Sequence, residues 1–191
     1  MEPSTEQDIS DLLEWKPPEK FKQQYPSYLS GYDYDNRAVI VILTGKWDTQ
    51  KIAEEEGQDL KDFLRRNHQF IERIKNGYYR RRVNESERGS NDDEIVIIMD
   101  YDGFDFRQVQ SQKNTMLAMK FLEQLESCYD KFAYGFIVNA NSLVDQMLSL
   151  GKPLMGQFIE RMEIHGTNPR KFIPQILKKI PRSQLNATYG G

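Results

Sequence analysis

The segment YGFIVNANS, residues 134–142, decides the fold class of this chain. Its apolar run ends in polar, turn-forming side chains, a pattern that indicates a buried strand followed by a loop. Two further runs rich in β-branched residues, AVIVIL at residues 38–43 and EIVIIM at residues 94–99, precede it. Helical patterns lie between these runs. Strands of this kind that alternate with helices predict an α/β domain with a mixed, largely parallel sheet.

The remaining predicted elements complete one domain. A helix begins after the prolines at residues 17–18 and ends near Gly31, because proline suits the first turn of a helix. Apolar residues at spacings of three and four predict longer helices at residues 48–82 and 108–127. A helical piece at 152–160, a short strand at 162–165 and a closing helix at 169–180 follow the third strand. We expect residues 1–12 to be a tail and residues 13–191 to be the domain.

Composition excludes several classes of protein. The net charge of −3 gives no electrostatic case for nucleic-acid binding. No apolar run approaches the roughly 20 residues that a membrane-spanning helix needs. The acidic, polar N-terminus differs from a secretory signal, and the single cysteine, Cys128, cannot form an internal disulfide. We therefore expect a cytoplasmic monomer.

No residue pattern predicts a metal site or a cofactor. The segment DYDN at residues 33–36 lacks the glycine and the closing glutamate of a calcium loop, and no glycine-rich phosphate loop occurs. His68 and His165 lie far apart in sequence, which argues against a zinc site. A nucleophile pair of Cys128 and His165 is an alternative to a buried thiol and a surface imidazole.

Two aspartates directly after the second buried strand suggest an enzyme hypothesis. Asp100 and Asp102 stand where a phosphatase of the haloacid dehalogenase type, which this segment resembles, places its nucleophile and second acid. Lys152 would serve as the phosphate-binding lysine. However, Phe104 replaces a small hydroxyl residue, and no later acidic pair completes a magnesium site. The favoured interpretation is that both aspartates cap the turn that leaves the strand.

A basic cluster, YYRRR at residues 78–82, allows two interpretations. Arg80, Arg81 and Arg82 would contact anionic lipid headgroups, with about 1 kcal/mol from each arginine near such a surface. Alternatively, they mark the C-terminus of a helix, where cations complement the helix dipole.

The apolar stretch at residues 143–158 is the strongest candidate for a functional element. Core packing is the default explanation for an apolar stripe on a helix. Gly151 and Pro153 interrupt the stretch, however, and divide it into two helical pieces with a hinge between them. Methionines at positions 147, 155 and 162 suit the wall of an adaptable cavity.

Seven short motifs, in this order, resemble the CRAL-TRIO lipid-binding family. They are LEWKPPE (13–19), GYDYDNRAV (31–39), IIMDYDG (97–103), FIVNA (136–140), KPL (152–154), IHG (164–166) and YGG (189–191). The branch that contains supernatant protein factor and the alpha-tocopherol-associated protein looks most similar. The run YDKF at residues 129–132 departs from the phosphoinositide binders of the family. Lys131 stands at their glutamate position, and Arg161 lies near their lysine position.

The resemblance implies a carrier of one hydrophobic molecule rather than an enzyme. In such a fold the sheet is the floor of an apolar ligand cavity, and a mobile gate helix, here about residues 142–155, lies over it. The ligand would be an isoprenoid, carotenoid, retinoid, tocopherol or phospholipid, exchanged while the protein is peripheral at a membrane. Lys131 argues against phosphatidylinositol binding by the family's usual route.

The predicted pocket combines side chains from the strands, the 108–127 helix and the gate. Strand side chains alternate between faces, so only one alternate set along each strand can face the cavity. A third interpretation is a scaffold whose cavity is filled by its own side chains. The predicted lipid-binding residues are Val39, Val41, Ile97, Met99, Phe121, Leu125, Phe136, Val138, Leu143, Met147, Leu148, Leu150, Leu154 and Phe158, with Gly151 and Pro153 as the hinge.

Overall fold

Five strands form one sheet whose spatial order follows the sequence. They are β1 (Ser27–Tyr32), β2 (Ala38–Ile42), β3 (Ile95–Asp100), β4 (Phe132–Val138) and β5 (Met162–Ile164). β1 runs antiparallel to β2, whereas the other neighbouring pairs are parallel. The computed structural model describes residues 6–81 and 93–191. The predicted α/β class with a mixed, largely parallel sheet is confirmed.

Helices cover both faces of this sheet. In the described residues they are α1 (Glu6–Glu14), α2 (Lys20–Gln24), α3 (Gln50–Glu55), α4 (Gln58–Lys75), α5 (Gln112–Glu126), α6 (Ser142–Gly151), α7 (Gly156–Glu160) and α8 (Pro169–Lys179). Side chains of α2 to α7 pack on one face, which we call the α5 face. α8 and the chain after it pack on the opposite face, the α8 face. Every residue of β2 and β3 is buried, as expected for strands that are covered on both sides.

The predicted helix between Pro18 and Gly31 is wrong beyond its first turns. α2 ends at Gln24, and Pro26, which has no N–H to donate, precedes the edge strand β1. Arg66 donates a hydrogen bond of 2.7 Å to the carbonyl oxygen of Tyr25, which supplies a partner at the end of α2. β1 was missed because only β2 pairs with it, and its side chains are half exposed rather than continuously apolar.

Two other predicted helices are each divided. The pattern at residues 48–82 forms α3 and α4, separated by Glu56 in the left-handed region (φ 50°) and by Gly57. The pattern at residues 152–160 forms a 3-10 segment, Lys152–Leu154, and then α7. Near the N-terminus, α1 crosses the predicted boundary between tail and domain. Gln69 of α4 donates a hydrogen bond of 2.6 Å to the carbonyl oxygen of Trp15, which follows α1.

The C-terminal residues protect the outer edge of β1. Gln184 accepts a hydrogen bond from the backbone N–H of Tyr32 (3.1 Å) through its side chain and one from the Ser30 hydroxyl (2.7 Å) through its carbonyl oxygen. A Cβ atom at Gly31 would lie 2.4 Å from the Gln184 side chain, so this close approach requires glycine. Covering an edge strand in this way prevents pairing with other chains.

Candidate functional site

A small apolar cavity lies on the α5 face, at the carboxyl end of β3. Most of its wall is apolar, from Phe63, Met99, Phe104, Leu117, Phe121 and Met147. Its volume is about 50 Å³, whereas pockets for small-molecule ligands usually enclose about 300–1,000 Å³. A lipid-sized ligand therefore requires α6 or neighbouring side chains to move outward.

Three of the predicted pocket residues meet around this cavity. Met99 contributes from β3, Phe121 from α5 and Met147 from α6. Four more belong to the same buried cluster behind the cavity wall, namely Ile97, Leu125, Leu148 and Phe158. Side chains from the sheet, from α5 and from the predicted gate thus lie on the α5 face, as a cavity between these elements requires. Their lipid-binding role remains a prediction.

Four predicted pocket residues lie on the opposite face of the sheet. Val39, Val41, Phe136 and Val138 pack against Phe172 and the rest of the α8 cluster. The backbone of the sheet separates them from Met99 and Phe121, because neighbouring side chains along a strand point to opposite faces. The prediction of a single cavity lined by both sets of side chains is therefore wrong.

Helix α6 covers the cavity and is anchored at its start. Asn141 caps the helix, because its side-chain oxygen accepts hydrogen bonds from the N–H groups of Leu143 (3.0 Å) and Val144 (3.1 Å). The amide of Asn141 also donates to the carbonyl oxygen of Phe104 (2.7 Å). Val144, Met147 and Leu148 are buried beneath the helix, and Leu143 is half-buried. The amino end of α6 is therefore the fixed end.

The far end of α6 differs, because apolar side chains there face the solvent. Leu150 is 71% exposed and Leu154 is 42% exposed. Gly151 lies close to α5, where a Cβ atom would be 3.3 Å from both Leu122 and Met119. Pro153 lies in the 3-10 segment that follows. This close packing explains a glycine at position 151, and the hinge at Gly151 and Pro153 stays a prediction.

Beyond the suspected hinge, the chain is anchored again. Glu126 of α5 accepts hydrogen bonds from the backbone N–H groups of Gln157 (3.2 Å) and Phe158 (2.7 Å) at the start of α7. A carboxylate at a helix N-terminus satisfies N–H groups that have no partner within the helix. Residues 142–156 therefore run between two anchored points, the cap at Asn141 and the start of α7 at Glu126, with the exposed leucines between them.

Sequence reasoning missed the loop after β2, which forms one end of the cavity. Thr44, Trp47 and Thr49 line this end. The turn at Thr44–Lys46 reaches the end of β3 because Gly45 has no side chain, and a Cβ atom there would lie 2.3 Å from the Asp102 carbonyl oxygen. The position of this loop at the carboxyl end of a parallel strand was the available signal, since ligands bind at such edges.

A hydrogen-bonded network closes the cavity between this loop and α5. The Thr49 hydroxyl donates to the side-chain oxygen of Asn114 (2.6 Å), and the Asn114 amide donates to the carbonyl oxygen of Gln108 (2.9 Å). The Gln108 amide donates in turn to the carbonyl oxygen of Gly45 (3.0 Å). These partly buried polar groups thus satisfy one another and fix the loop against α5.

Comparison with known proteins identifies the family. A family profile described as CRAL/TRIO domain matches residues 22–191. The chain belongs to the CRAL/TRIO domain family. It is also similar to the crystal structure of Sfh5, with a TM-score of 0.61, 13% sequence identity and coverage of 88% of this chain and 58% of that chain. This chain thus spans less than two thirds of the length of Sfh5, and a likeness at this identity shows the fold alone.

The CRAL/TRIO resemblance predicted from the motifs is therefore confirmed at the level of the family. The narrower prediction, that the chain belongs to the branch that contains supernatant protein factor, stays a prediction. Asp100, which belongs to the motif at residues 97–103, has a structural role in this domain.

Asp100 connects the end of β3 to two distant parts of the chain. It is 4% exposed. One carboxylate oxygen accepts hydrogen bonds from the backbone N–H of Asp102 (2.9 Å) and the side-chain amide of Asn139 (2.8 Å). The other accepts from the hydroxyl of Tyr189 (2.6 Å), whose pKa is raised by burial and by this hydrogen bond. This arrangement supports the capping interpretation of Asp100 over the phosphatase hypothesis, because a nucleophile must reach its substrate.

Within residues 6–81 and 93–191, no cluster of three or more His, Cys, Asp and Glu side chains is placed to hold a metal ion. The same residues contain no helix that is long and apolar enough to cross a membrane.

The basic cluster is at the surface, beyond the end of α4. Arg80 and Arg81 are exposed, and Arg82 lies outside the described residues. Arg81 donates a hydrogen bond to Asn36 (2.6 Å) and lies 5.2 Å from the ring centre of Tyr32. Since α4 ends at Lys75, the helix-dipole interpretation does not apply to these arginines. Membrane contact by Arg80, Arg81 and Arg82 stays a prediction.

The two residues at the phosphoinositide positions are engaged within the protein. Lys131 forms an ion pair with Asp93, and this hydrogen bond raises the pKa of the Lys131 ammonium. Arg161 donates a hydrogen bond of 2.6 Å to the carbonyl oxygen of Phe132. Both cations thus have partners on the chain.

Cys128 and His165 do not form a catalytic pair. Cys128 is buried on the α5 face, where its thiol lies 3.5 Å from the carbonyl oxygen of Leu125. The ring of His165 stacks on Phe136, which belongs to the α8 face. The sheet separates the two groups, and burial raises the pKa of the Cys128 thiol to about 12.

The Cys128→Ala variant should lose less stability at alkaline pH than the wild type loses. The folded thiol keeps a proton that the unfolded chain releases above its ordinary pKa of 9.0. The stability that comes from this difference in proton binding is fully present below pH 9 and is lost as the pH rises towards 12. Urea unfolding at pH 8 and pH 10 should show that the wild type loses about 1 kcal/mol more than the variant. If both proteins lose the same free energy of unfolding, the raised pKa of the Cys128 thiol is contradicted.

Proposed function

We propose that this chain binds one hydrophobic ligand beneath α6 and exchanges it at membranes when α6 moves outward. Family membership supports a carrier, and the apolar walls from β3, α5 and α6 supply the site. The observation that carries the proposal is α6 itself, which buries Met147 over the cavity while Leu150 at its far end is 71% exposed. The ligand class includes isoprenoids, carotenoids, retinoids, tocopherols and phospholipids, and the carrier is a cytoplasmic monomer, peripheral at membranes.

The energies of opening and ligand burial are of similar size. Exposing Val144, Met147 and Leu148 costs about 1.5–3 kcal/mol for each side chain. A ligand chain gains about 0.8 kcal/mol for each methylene removed from water, so about ten methylenes offset the cost of moving α6. A near balance of this kind allows both retention in water and release at a membrane.

The exposed apolar side chains near the hinge form the surface that would meet a membrane. Met116, Leu150 and Leu154 are exposed, and Lys120 lies beside Met116 and Leu154 around an open groove between α4 and α5, where Lys113 forms an ion pair with Glu56 (2.9 Å). Leucines enter the apolar part of a bilayer, while a lysine such as Lys120 contacts anionic headgroups with about 1 kcal/mol. Membrane binding would thus expose the hinge to lipid.

Replacing both Leu150 and Leu154 with serine should weaken binding to anionic vesicles about tenfold, since two apolar side chains no longer enter the bilayer. Vesicle sedimentation measures this change. Ile164→Ser is the matched control, because Ile164 is 48% exposed on β5, outside α6 and outside the surface around Arg80 and Arg81, and should have no effect. If Arg80→Glu with Arg81→Glu abolishes binding while the leucine variant binds normally, the basic cluster is the membrane contact instead.

The proposed exchange is tested by transfer of a fluorescent retinoid or phospholipid between donor and acceptor vesicles. We expect a transfer rate that rises in proportion to protein concentration. A rate equal to that without protein, for ligands of both classes, would contradict the proposed function.

A further inference from the structure

Positive charge is concentrated in the last part of this otherwise acidic chain. Residues 164–191 contain five Lys and Arg side chains and no Asp or Glu. That leaves 21 of the 26 Lys and Arg, and all 29 of the Asp and Glu, to residues 1–163. A basic segment in a chain whose net charge is −3 indicates a partner of negative charge rather than a requirement of the fold.

Three of these cations lie exposed along α8, and we call them the basic α8 surface. They are Arg170, Lys171 and Lys178. None of the three forms an ion pair with a residue that the structure describes. Lys179, by contrast, is held by Glu163 at 2.8 Å. The basic α8 surface therefore presents its charge to the solvent.

Helix stability explains only part of this charge. Lys178 lies in the last turn of α8, where a cation complements the negative end of the helix dipole. Arg170 and Lys171 lie in the first turn, where the positive end of the dipole disfavours cations, and no acidic residue accompanies them there. The Asn168 side chain already caps the helix by accepting a hydrogen bond from the backbone N–H of Arg170 (3.0 Å). Two side chains that oppose helix stability at an exposed site indicate a role in binding.

The basic α8 surface lacks the side chains that membrane or nucleic-acid contacts use. The structure describes all of residues 165–191, and none of their large apolar or aromatic side chains is exposed. Helices that lie on membranes add apolar side chains to their cations, and proteins that bind single-stranded nucleic acids add aromatic platforms. α8 also lies on the opposite face of the sheet from α6, where the exposed leucines are. A polar contact with a protein partner fits this surface best.

The spacing of the cations indicates the chemistry of that partner. Lys171 and Lys178 are two helical turns apart, so they project from one side of α8 at about 10 Å along its axis. Arg170 adds a planar guanidinium, which binds a carboxylate through two parallel hydrogen bonds. Two or three Asp or Glu side chains on a short segment match a row of this length and charge.

We infer that the basic α8 surface binds a short acidic segment of a protein partner. This inference goes beyond the proposed function, because a partner on α8 leaves the α5 face free to meet a membrane. Binding through exposed charges is fast and depends on the salt concentration, as for other electrostatically steered complexes.

The test measures the fluorescence anisotropy of a fluorescein-labelled peptide of alternating Glu and Ser, at about 0.15 M salt. The same peptide with Gln in place of Glu reports any binding that does not need carboxylates. The variant is Arg170→Glu with Lys171→Glu. Its matched control is Lys16→Glu with Lys61→Glu, which changes the net charge equally at exposed positions outside α8.

We expect the wild type and the control to bind the Glu peptide, and the α8 variant to bind it at least about tenfold more weakly. The Gln peptide should bind to none of them. Urea unfolding should show that the α8 variant is as stable as the wild type or more stable, because glutamates suit the first turn of a helix. Lost binding in that variant would then not be a folding defect.

Three results would overturn the inference. One is a wild type that does not bind the Glu peptide, and another is equal weakening in the variant and its control, which shows an effect of net charge alone. The third is wild-type binding to vesicles of phosphatidylcholine and phosphatidylserine, but not to the peptide, with loss of vesicle binding in the α8 variant. The surface would then be a membrane contact. Ligand transfer by the α8 variant should equal that of the wild type, so failure of the proposed carrier function is a separate result.

Discussion

Asp100→Ala should lower the free energy of unfolding by about 3 kcal/mol or more, the largest change in stability that we expect from one substitution of a polar residue. The substitution removes three hydrogen bonds to a buried carboxylate, from Asp102, Asn139 and Tyr189. It also leaves the buried hydroxyl of Tyr189 without its acceptor. Urea unfolding monitored by circular dichroism measures the change.

Two matched variants separate the contributions. Tyr189→Phe removes one of the three hydrogen bonds and should cost about 1–2 kcal/mol. Asp102→Ala alters the exposed neighbour and should change stability by less than about 0.5 kcal/mol. A stable Asp100→Ala protein would contradict the structural role, and magnesium-dependent hydrolysis of a phosphate ester by the wild type, lost in Asp100→Asn, would restore the phosphatase hypothesis.

Met147→Trp should abolish ligand transfer between vesicles, the largest functional effect that we expect. Met147 lines the cavity from α6, and the larger indole would occupy the space that the ligand enters. Such overpacking costs about 1–3 kcal/mol of stability, so thermal unfolding must be recorded beside transfer.

The neighbouring residue offers the matched control. Gln146 is exposed on the same helix, so Gln146→Trp adds an indole to α6 without filling the cavity. We expect this variant to transfer ligand at the wild-type rate. If the folded Met147→Trp protein transfers ligand as fast as Gln146→Trp, the ligand does not lie beneath α6.

Much of the fold could be predicted because its strands are short, apolar and separated by amphipathic helices. β3, β4 and α6 lie close to their predicted positions. β1 could not be predicted in this way, since its pairing with β2 is a tertiary contact and its half-exposed residues carry no continuous apolar signal.

The candidate site was harder to predict than the fold. Val39 and Ile40 are equally apolar and equally buried, yet they lie on opposite faces of the sheet. A strand that is covered on both faces shows no polar alternation, so its sequence does not reveal which side chains face the cavity. Thr44 lines the cavity only because the turn containing Gly45 packs on the backbone at the end of β3, a contact between distant segments.

Mass spectrometry of organic extracts from the purified protein tests the ligand-carrier function most directly. The protein would be prepared from several hosts, with Met147→Trp purified in parallel. We predict close to one equivalent of a hydrophobic molecule for each wild-type chain and a large decrease for Met147→Trp. If wild-type protein from every host contains no stoichiometric hydrophobic molecule, and added retinol or phospholipid does not bind, the central claim is contradicted.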